Sequence, residues 1–390
     1  MNGRDISELY RFRSALHVRY GIPPLIENNL TTKLSIIKQP KIRPNHKRQM
    51  KSKFLFLSAI AISIASMASV NAQQTTTPVG YTTQTCYDGV FNLVGFTLHG
   101  ATQATGDVAS ISGTTITLDD GIVDGLVGGP FLIEITSGTA AGAVNLITGF
   151  DGMADTVTTE DDLAAAGVAA ADTFAIRLCP TLGSVFGTDA NVVINKGSAT
   201  TGDLIYVPEG GGSFGVYHHT ADVNFGGTIV PGNWAKVGGG SNIANTPLIY
   251  TDAAYVLNRS GSNYDLVVSG EVKLTASKIG LPDTFNYISA VYPAGTTLDD
   301  SGLADSSGFQ KGSVTTGDLV LMPDNSTGSF NSYYHSADVD FGGTIIPGQW
   351  KAVAGGVSSG GVEMTQGIII QRRAASPYNA DLGVPSSWTP

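Results

Sequence analysis

An internal repeat is the feature that most constrains the fold of this chain. Residues 217–234 read YHHTADVNFGGTIVPGNW and residues 333–350 read YYHSADVDFGGTIIPGQW, with thirteen of the eighteen positions identical. The likeness starts upstream, at Lys196 and Lys311, and the second copy has one more residue in a Gly/Asn/Ser-rich turn. Hairpin loops absorb such insertions easily. The chain therefore carries two copies of one supersecondary unit.

The segments between the turns are typical of strands. Short runs of β-branched and aromatic residues recur between Gly, Asp, Asn and Ser, and the stretches SISGTTITL and FLIEITSGTAAGAVNLITGF each predict a hairpin. One helix-like stretch, 160–172, is interrupted by Gly167. We predict an all-β fold of two repeated β-sandwich-like units, with a small β-barrel-like insertion near the N-terminus.

The repeat and the turn pattern divide the chain into five segments. The first repeat is taken to begin where DTFAIR resembles the DTFNYI of the second. The predicted segments are a mis-called start or disordered leader (1–49), a signal peptide (50–72), an N-terminal β segment with the small barrel (73–172), the first β repeat (173–283) and the second (284–390).

Residues 50–72 have the layout of a secretory signal peptide. Lys51 and Lys53 precede a short apolar run, and Val-Asn-Ala at 70–72 resembles a cleavage site. The alternative is a transmembrane anchor, but the run is short and contains serines. We expect a protein that is secreted, periplasmic or on the outer cell surface, with no transmembrane segment after cleavage.

Removing the leader makes the remaining chain strongly acidic. Residues 1–72 hold 12 of the 22 Lys and Arg and 3 of the 32 Asp and Glu, which leaves 10 basic and 29 acidic residues and a net charge of −19. Such a surface repels nucleic acid and anionic membranes, and it favours solubility or divalent cations. Nucleic-acid binding is therefore excluded as a function.

The two cysteines, Cys86 and Cys179, both lie in the exported part. In an oxidising compartment they predict one disulfide bond, which would stabilise the fold by about 3–5 kcal/mol. Two buried free thiols are the alternative.

Several segments also suggest a family. TPVGY, FLIEITSGTAAGAVNLITG, DTFAIR, GDLIYVP and NWAKVGGG resemble a group of exported proteins of Verrucomicrobia and relatives, over most of residues 78–270. The resemblance implies an exported bacterial protein. It implies no activity and no catalytic residues.

The repeated block contains a candidate cation site. Asp222 and Asn224, and in the second copy Asp338 and Asp340, place oxygen ligands two residues apart before Gly-Gly, as in the opening of many calcium loops. The intervening positions are apolar and no Glu closes the loop. The alternative to a calcium site is a strand that enters a turn. Calcium is the only cofactor that the sequence suggests.

Aromatic residues of the same block allow a ligand-stacking hypothesis. Tyr217, Trp234, Tyr333 and Trp350 could form a platform for sugar rings. The alternative is that the two tryptophans fill the cores of the units after their Pro-Gly turns.

These features favour a non-enzymatic role. We expect a structural or adhesive protein of the bacterial cell surface or extracellular matrix that associates with itself. A carbohydrate-binding protein with an extracellular glycan as partner is the second hypothesis, and a secreted enzyme is the third. The Gly211–Gly215 segment matches G-x-S-x-G, but the second copy does not keep it and no helix is predicted after it.

Overall fold

The computed structural model describes residues 78–292, 294–364 and 366–388. The predicted leader and signal peptide lie outside these residues. Within them, no helix is long and apolar enough to cross a membrane. The regular secondary structure of the described residues is almost entirely β-strand, which confirms the predicted all-β class.

Twenty-four strands follow one another in the described part of the chain, and they fall into four groups. The first two are β1 (Val79–Cys86) and β2 (Phe91–Gly95). The next six are β3 (Thr102–Ser112), β4 (Thr115–Leu118), β5 (Phe131–Ile135), β6 (Val144–Asp151), β7 (Thr156–Thr159) and β8 (Thr173–Leu178). Seven more are β9 (Leu204–Pro208), β10 (Phe214–His219), β11 (Val223–Phe225), β12 (Thr228–Val230), β13 (Trp234–Lys236), β14 (Ala253–Leu257) and β15 (Tyr264–Glu271). The last nine are β16 (Ser277–Leu281), β17 (Phe285–Ser289), β18 (Leu319–Asp324), β19 (Ser329–His335), β20 (Val339–Phe341), β21 (Thr344–Ile346), β22 (Trp350–Ala352), β23 (Gly367–Gln371) and β24 (Tyr378–Leu382).

Helical segments are short and connect strands. Among the described residues the one α-helix is α1 (Leu182–Phe186), which begins with a capping box between Thr181 and Ser184. Single 3-10 turns span Val123–Gly125, Asp189–Asn191, Leu303–Asp305 and Ser386–Trp388.

Each repeat unit pairs a two-stranded sheet with a five-stranded one. In the first unit β1 pairs with β15, and the larger sheet has the order β13-β10-β9-β14-β2. In the second unit β16 pairs with β24, and the larger sheet has the order β22-β19-β18-β23-β17. The two orders match strand for strand. The structure therefore contains the two repeated units that the sequence predicted.

The first unit is discontinuous in sequence. Strands β3 to β8 close into a barrel of order β3-β4-β7-β6-β5-β8, which is inserted between β2 and β9. The boundaries thus differ from the prediction: β8 belongs to the barrel, because it pairs with β3 and β5, whereas β1 and β2 belong to the first unit. The resemblance between DTFAIR and DTFNYI does not reflect equivalent strands.

Two buried asparagines show which strands are equivalent. Asn92 on β2 accepts a hydrogen bond from the Tyr87 amide and donates to the Tyr87 and Val256 carbonyls. Asn286 on β17 makes the same contacts with Asp283 and Ile370. The dipeptide Phe-Asn at 91–92 therefore corresponds to the Phe-Asn at 285–286.

The barrel rests on the first unit through β5, which is buried on both faces. Phe131, Ile133 and Ile135 fill the barrel, while Leu132 packs into the core of the repeat units. Glu134 forms an ion pair with Lys273, which lies between β15 and β16, and a second ion pair with Arg177 on β8 of the barrel. Lys273 and Glu134 are both almost fully buried. The barrel is thus attached by a buried ionic contact as well as by apolar packing.

The two units meet through the same strands in each, β2 and β14 against β17 and β23. Leu93, Ala253 and Ile369 form a small apolar core between them. The amide of Leu93 donates to Asn325 Oδ1 at 3.0 Å, and Asn325 Nδ2 donates back to the Leu93 carbonyl at 3.1 Å. At Gly367 a Cβ atom would come within 2.8 Å of the Ala253 methyl group, so this approach requires glycine.

Candidate functional site

The repeated block forms a projecting hairpin in each unit. In the first, β11 and β12 pair around Gly226 and Gly227, and both glycines have positive φ, as a tight two-residue turn requires. The second unit repeats this hairpin with β20 and β21. Each hairpin follows β10 or β19, on the side of its sheet away from the junction of the units. We call these two segments, 222–232 and 338–348, the twin hairpins.

The polar residues predicted to bind calcium close the turns of the twin hairpins. Asn224 Oδ1 accepts the Gly227 amide at 2.9 Å, and Asp340 Oδ1 accepts the Gly343 amide at 2.7 Å. At the base of the hairpins, Asp222 Oδ1 accepts the Gly232 amide and Asp338 Oδ1 accepts the Gly348 amide.

This geometry does not favour the calcium hypothesis. Lys196 Nζ lies 2.9 Å from Asp222 Oδ1, and together with the Gly232 amide it holds the pKa of that carboxyl below its usual value. Calcium takes six to eight oxygen ligands. Each hairpin offers two such side chains, and the described residues contain no cluster of three or more His, Cys, Asp or Glu able to hold a metal ion.

The predicted stacking residues belong to the cores of the units. Trp234 and Trp350 are each 1% exposed. Trp234 Nε1 donates to the Gly187 carbonyl at 2.9 Å. Tyr217 is also buried, and Tyr333 is partly buried against the same core. The tryptophans therefore fill the core, as the alternative to the stacking hypothesis had it, and they do not form an exposed platform.

The apolar residues of the twin hairpins are exposed. Phe225 and Phe341 are 68% and 69% exposed, and the neighbouring valine and isoleucine side chains are also open to solvent in both copies (Val223, Ile229, Val230, Val339, Ile345, Ile346). Exposed apolar groups that recur at the same positions are unusual on a protein that only faces water. The sequence analysis had assigned Val223 and Phe225 to an apolar strand face, and the structure shows that nothing in the described chain covers that face.

The predicted disulfide bond is absent, and this prediction was wrong. Cys86 and Cys179 are free, buried thiols. Cys179 Sγ lies 3.3 Å from the Pro180 carbonyl oxygen, while Cys86 lies at the end of β1, next to Tyr264. Burial raises the pKa of both thiols to about 12. Each sulfur therefore fills space in the apolar core as a small side chain.

The G-x-S-x-G segment lies in the turn between β9 and β10. Ser213 Oγ donates to the Gly210 carbonyl at 2.7 Å, which closes the turn. His219 Nδ1 is 3.0 Å from the Thr220 carbonyl and its ring packs against Trp234. Ser213 therefore closes a turn, and His219 packs in the core of its unit.

A second site, which the sequence analysis missed, lies where the first unit meets the second. Phe91, Tyr206, Phe214 and Tyr255 project from one face of the first five-stranded sheet. With Gly328 and Phe330 of the second unit they line an open cavity of about 440 Å³. The four aromatic residues come from four different strands, so no local motif marks them. The one signal is the tyrosine in the middle of LIYVP and of AAYVL, on the opposite face from the buried Ile205 and Val256.

Comparison with protein-family models, with curated proteins and with solved structures finds no match to this chain.

Proposed function

We propose that this chain is an exported, non-enzymatic structural or adhesive protein of the bacterial cell surface or extracellular matrix, whose copies associate through the twin hairpins. Export is supported by the signal-peptide pattern of residues 50–72 and by the resemblance to exported proteins of Verrucomicrobia. The observation that carries the proposal is the repeated set of exposed apolar side chains, above all Phe225 and Phe341.

The comparison of the two copies supports a contact at the hairpins. Segments 222–232 and 338–348 share nine of eleven residues, although they are exposed. By contrast, the strand segments 204–207 and 319–322, which contribute to the core, share one residue of four. Exposed loops usually vary more than the elements they connect. The reversed pattern indicates that the hairpins are constrained by something they touch.

A second copy of the chain is the partner that fits best. Each hairpin is a sheet of two strands, so both of its outer edges are open for pairing within the described chain. A two-fold contact between identical copies needs a patch that is complementary to itself, and each chain presents the same patch twice. Two patches on one chain permit growth beyond a dimer.

The net charge of −19 on residues 73–390 opposes this association and makes it sensitive to salt. Monovalent or divalent cations screen the repulsion between acidic copies. We therefore expect association to increase with ionic strength, without a dedicated metal site in the hairpins.

Sedimentation of the purified protein at several concentrations tests the proposal. We expect monomers at low salt and larger species at about physiological ionic strength. The double variant Phe225→Ser, Phe341→Ser should remain monomeric. The matched control Val127→Ser, Met153→Ser changes two exposed apolar residues of the barrel and should associate like the wild type. A wild type that stays monomeric in all conditions, or a hairpin variant that associates equally well, contradicts the proposal.

The carbohydrate-binding alternative loses its basis in the repeated block, because Trp234 and Trp350 are buried. A glycan would have to bind elsewhere on the chain. The enzyme alternative is not favoured either, since Ser213 and His219 each have a structural hydrogen bond.

A further inference from the structure

Four aromatic rings in the cavity between the units form a closed cycle. The ring centroids are 5.4 Å apart for Phe91 and Tyr206, 6.4 Å for Tyr206 and Phe214, 6.1 Å for Phe214 and Tyr255, and 6.0 Å for Tyr255 and Phe91. Neighbouring ring planes are inclined by 54° to 81°. We call these four residues the aromatic box. Four rings this close together can attract one cation jointly, because cation–π attraction extends to about 6 Å from a ring centroid.

The chemistry of the cavity selects against anions and strongly hydrated groups. The described residues that line it are aromatic except for Gly328, and none of them is charged. The hydroxyl groups of Tyr206 and Tyr255 have no hydrogen-bond partner among the described residues. Burial raises the pKa of Tyr255, so its phenol stays neutral. Outside the leader the chain carries a net charge of −19, which attracts cations.

The second unit shows that the fold does not need the two tyrosines. Strand pairing places Leu321 and Ile369 at the positions of Tyr206 and Tyr255, while phenylalanine is kept at the other two positions (Phe285 and Phe330). In the second unit, aliphatic side chains therefore occupy these two positions on the equivalent face of the five-stranded sheet. The fold of a unit therefore does not require tyrosine at these two positions, although the ring of Tyr255 also packs 5.6 Å from that of Tyr287 in the second unit.

We propose that the aromatic box binds the trimethylammonium group of a small organic cation such as choline. Ring faces attract a large, weakly hydrated cation without the desolvation cost that a carboxylate would bring. Phe330 of the second unit closes one side of the cavity, so the ligand would contact both units. The proposal is independent of the association through the twin hairpins.

Calorimetric titration of the full protein with choline and with its neutral isostere 3,3-dimethylbutan-1-ol tests the role of charge. The two compounds have the same shape, and only choline is positively charged. We expect the Kd of choline to be at least about tenfold lower than that of the isostere. A tenfold difference in Kd corresponds to about 1.4 kcal/mol, and cation–π attraction from several desolvated rings is stronger than that. Equal binding of the isostere would show an apolar cavity without cation selectivity and would overturn the proposal.

Variants that introduce the corresponding side chains of the second unit test whether choline binds at the aromatic box. The double variant Tyr206→Leu, Tyr255→Ile should weaken choline binding at least about tenfold, while the cavity keeps side chains that the second copy already uses. The control Tyr81→Leu changes an exposed tyrosine on β1 and should leave binding unchanged. If the double variant does not fold, the difference in affinity of the wild type for choline and for its isostere still tests whether the site selects a cation.

Phosphatidylcholine vesicles distinguish a lipid headgroup from a soluble cation. Binding to vesicles that free choline displaces would identify a headgroup, and binding of free choline alone would identify a soluble ligand; both outcomes support the trimethylammonium site. If neither choline nor the vesicles bind, the proposal is wrong. Undiminished choline binding by the folded double variant would also refute it.

Discussion

The imidazole ring of His219 stands perpendicular to the buried indole of Trp234, with the ring centroids 5.5 Å apart. His335 and Trp350 repeat this arrangement in the second unit at 5.3 Å. Each imidazole donates from Nδ1 to the carbonyl oxygen of the next residue at 3.0 Å. Burial lowers the pKa of both histidines. These rings therefore belong to the core in their neutral form, and they are not free to bind a ligand.

A third buried histidine makes stability depend on pH. Burial and the positive charge of Arg177 lower the pKa of His99 to about 3, although Glu271 lies 3.7 Å away. In the unfolded chain the His99 imidazole is protonated below about pH 6.5, whereas in the folded chain it stays neutral down to about pH 3. Stability is thus complete above about pH 6.5 and is lost as the pH falls towards 3. At pH 5 the loss from His99 is about 2 kcal/mol.

Urea unfolding of wild type and His99→Gln at pH 7.5 and pH 5 measures this effect. The carboxylates titrate in both proteins, so their contribution cancels in the difference between the two pH slopes. We expect the variant to lose about 2 kcal/mol less than the wild type between the two pH values. If the free energy of unfolding fell equally for both proteins between pH 7.5 and pH 5, His99 would not be the source of the pH dependence.

The sequence predicts local β-structure well. The hairpin predicted around Gly113 forms between β3 and β4, and the one predicted from FLIEITSG to AVNLITGF forms between β5 and β6. Both depend on alternation and turn residues within one short segment, so the information is local.

The insertion of the barrel could not be recognised in the same way. Strands β2 and β17 share little beyond Phe-Asn, while the DTF at 172–174, where β8 begins, gives a longer but misleading match to the DTF at 283–285, where β17 begins. Which strand pairs with which is decided by contacts between distant segments. The assembly of the aromatic box from four strands is hidden from the sequence for the same reason, whereas the burial of Trp234 agrees with the core-filling alternative that its Pro-Gly turn suggested.

Removing Lys273 should destabilise the protein strongly. Lys273 pairs with Glu134, and both side chains are at most 2% exposed. Burial lowers the pKa of the Lys273 ammonium group to about 7. In Lys273→Met, Glu134 loses one of its two cationic partners in a dry environment. We expect a loss of about 3–5 kcal/mol in the free energy of unfolding, measured with urea.

The exposed pair of Lys236 and Glu209 is the matched control for this variant. Its side chains are 37% and 39% exposed. Lys236→Met should therefore change the free energy of unfolding by less than about 1 kcal/mol. Similar effects of the two methionine variants would show that the buried pair does not hold the barrel to the first unit.

Asp318 should also be essential for stability, because it organises the loops of the second unit. This fully buried carboxylate accepts the amides of Gln310, Arg373 and Ala374, and the hydroxyl of Tyr378 donates to it at 2.9 Å. Asp318→Ala leaves these donors without an acceptor. We expect a loss of at least about 3 kcal/mol in urea unfolding.

Asp120→Ala is the control for Asp318→Ala, since Asp120 is exposed. It should change the free energy of unfolding by no more than about 0.5 kcal/mol. Asp318→Asn keeps one acceptor oxygen and should lie between the two. Equal stability of the two alanine variants would refute the role of Asp318.

The two cysteines should react only when the protein unfolds. Cys86 and Cys179 are buried thiols, and burial raises the pKa of each to about 12, so the reactive thiolate is scarce in the folded state. A thiol-specific reagent should detect no free thiol in the native protein and two per chain in guanidinium without reductant. Dithiothreitol should leave the Tm unchanged, because there is no disulfide bond to reduce. Fewer than two thiols in the denatured, unreduced protein would show that the bond forms and would contradict the structure.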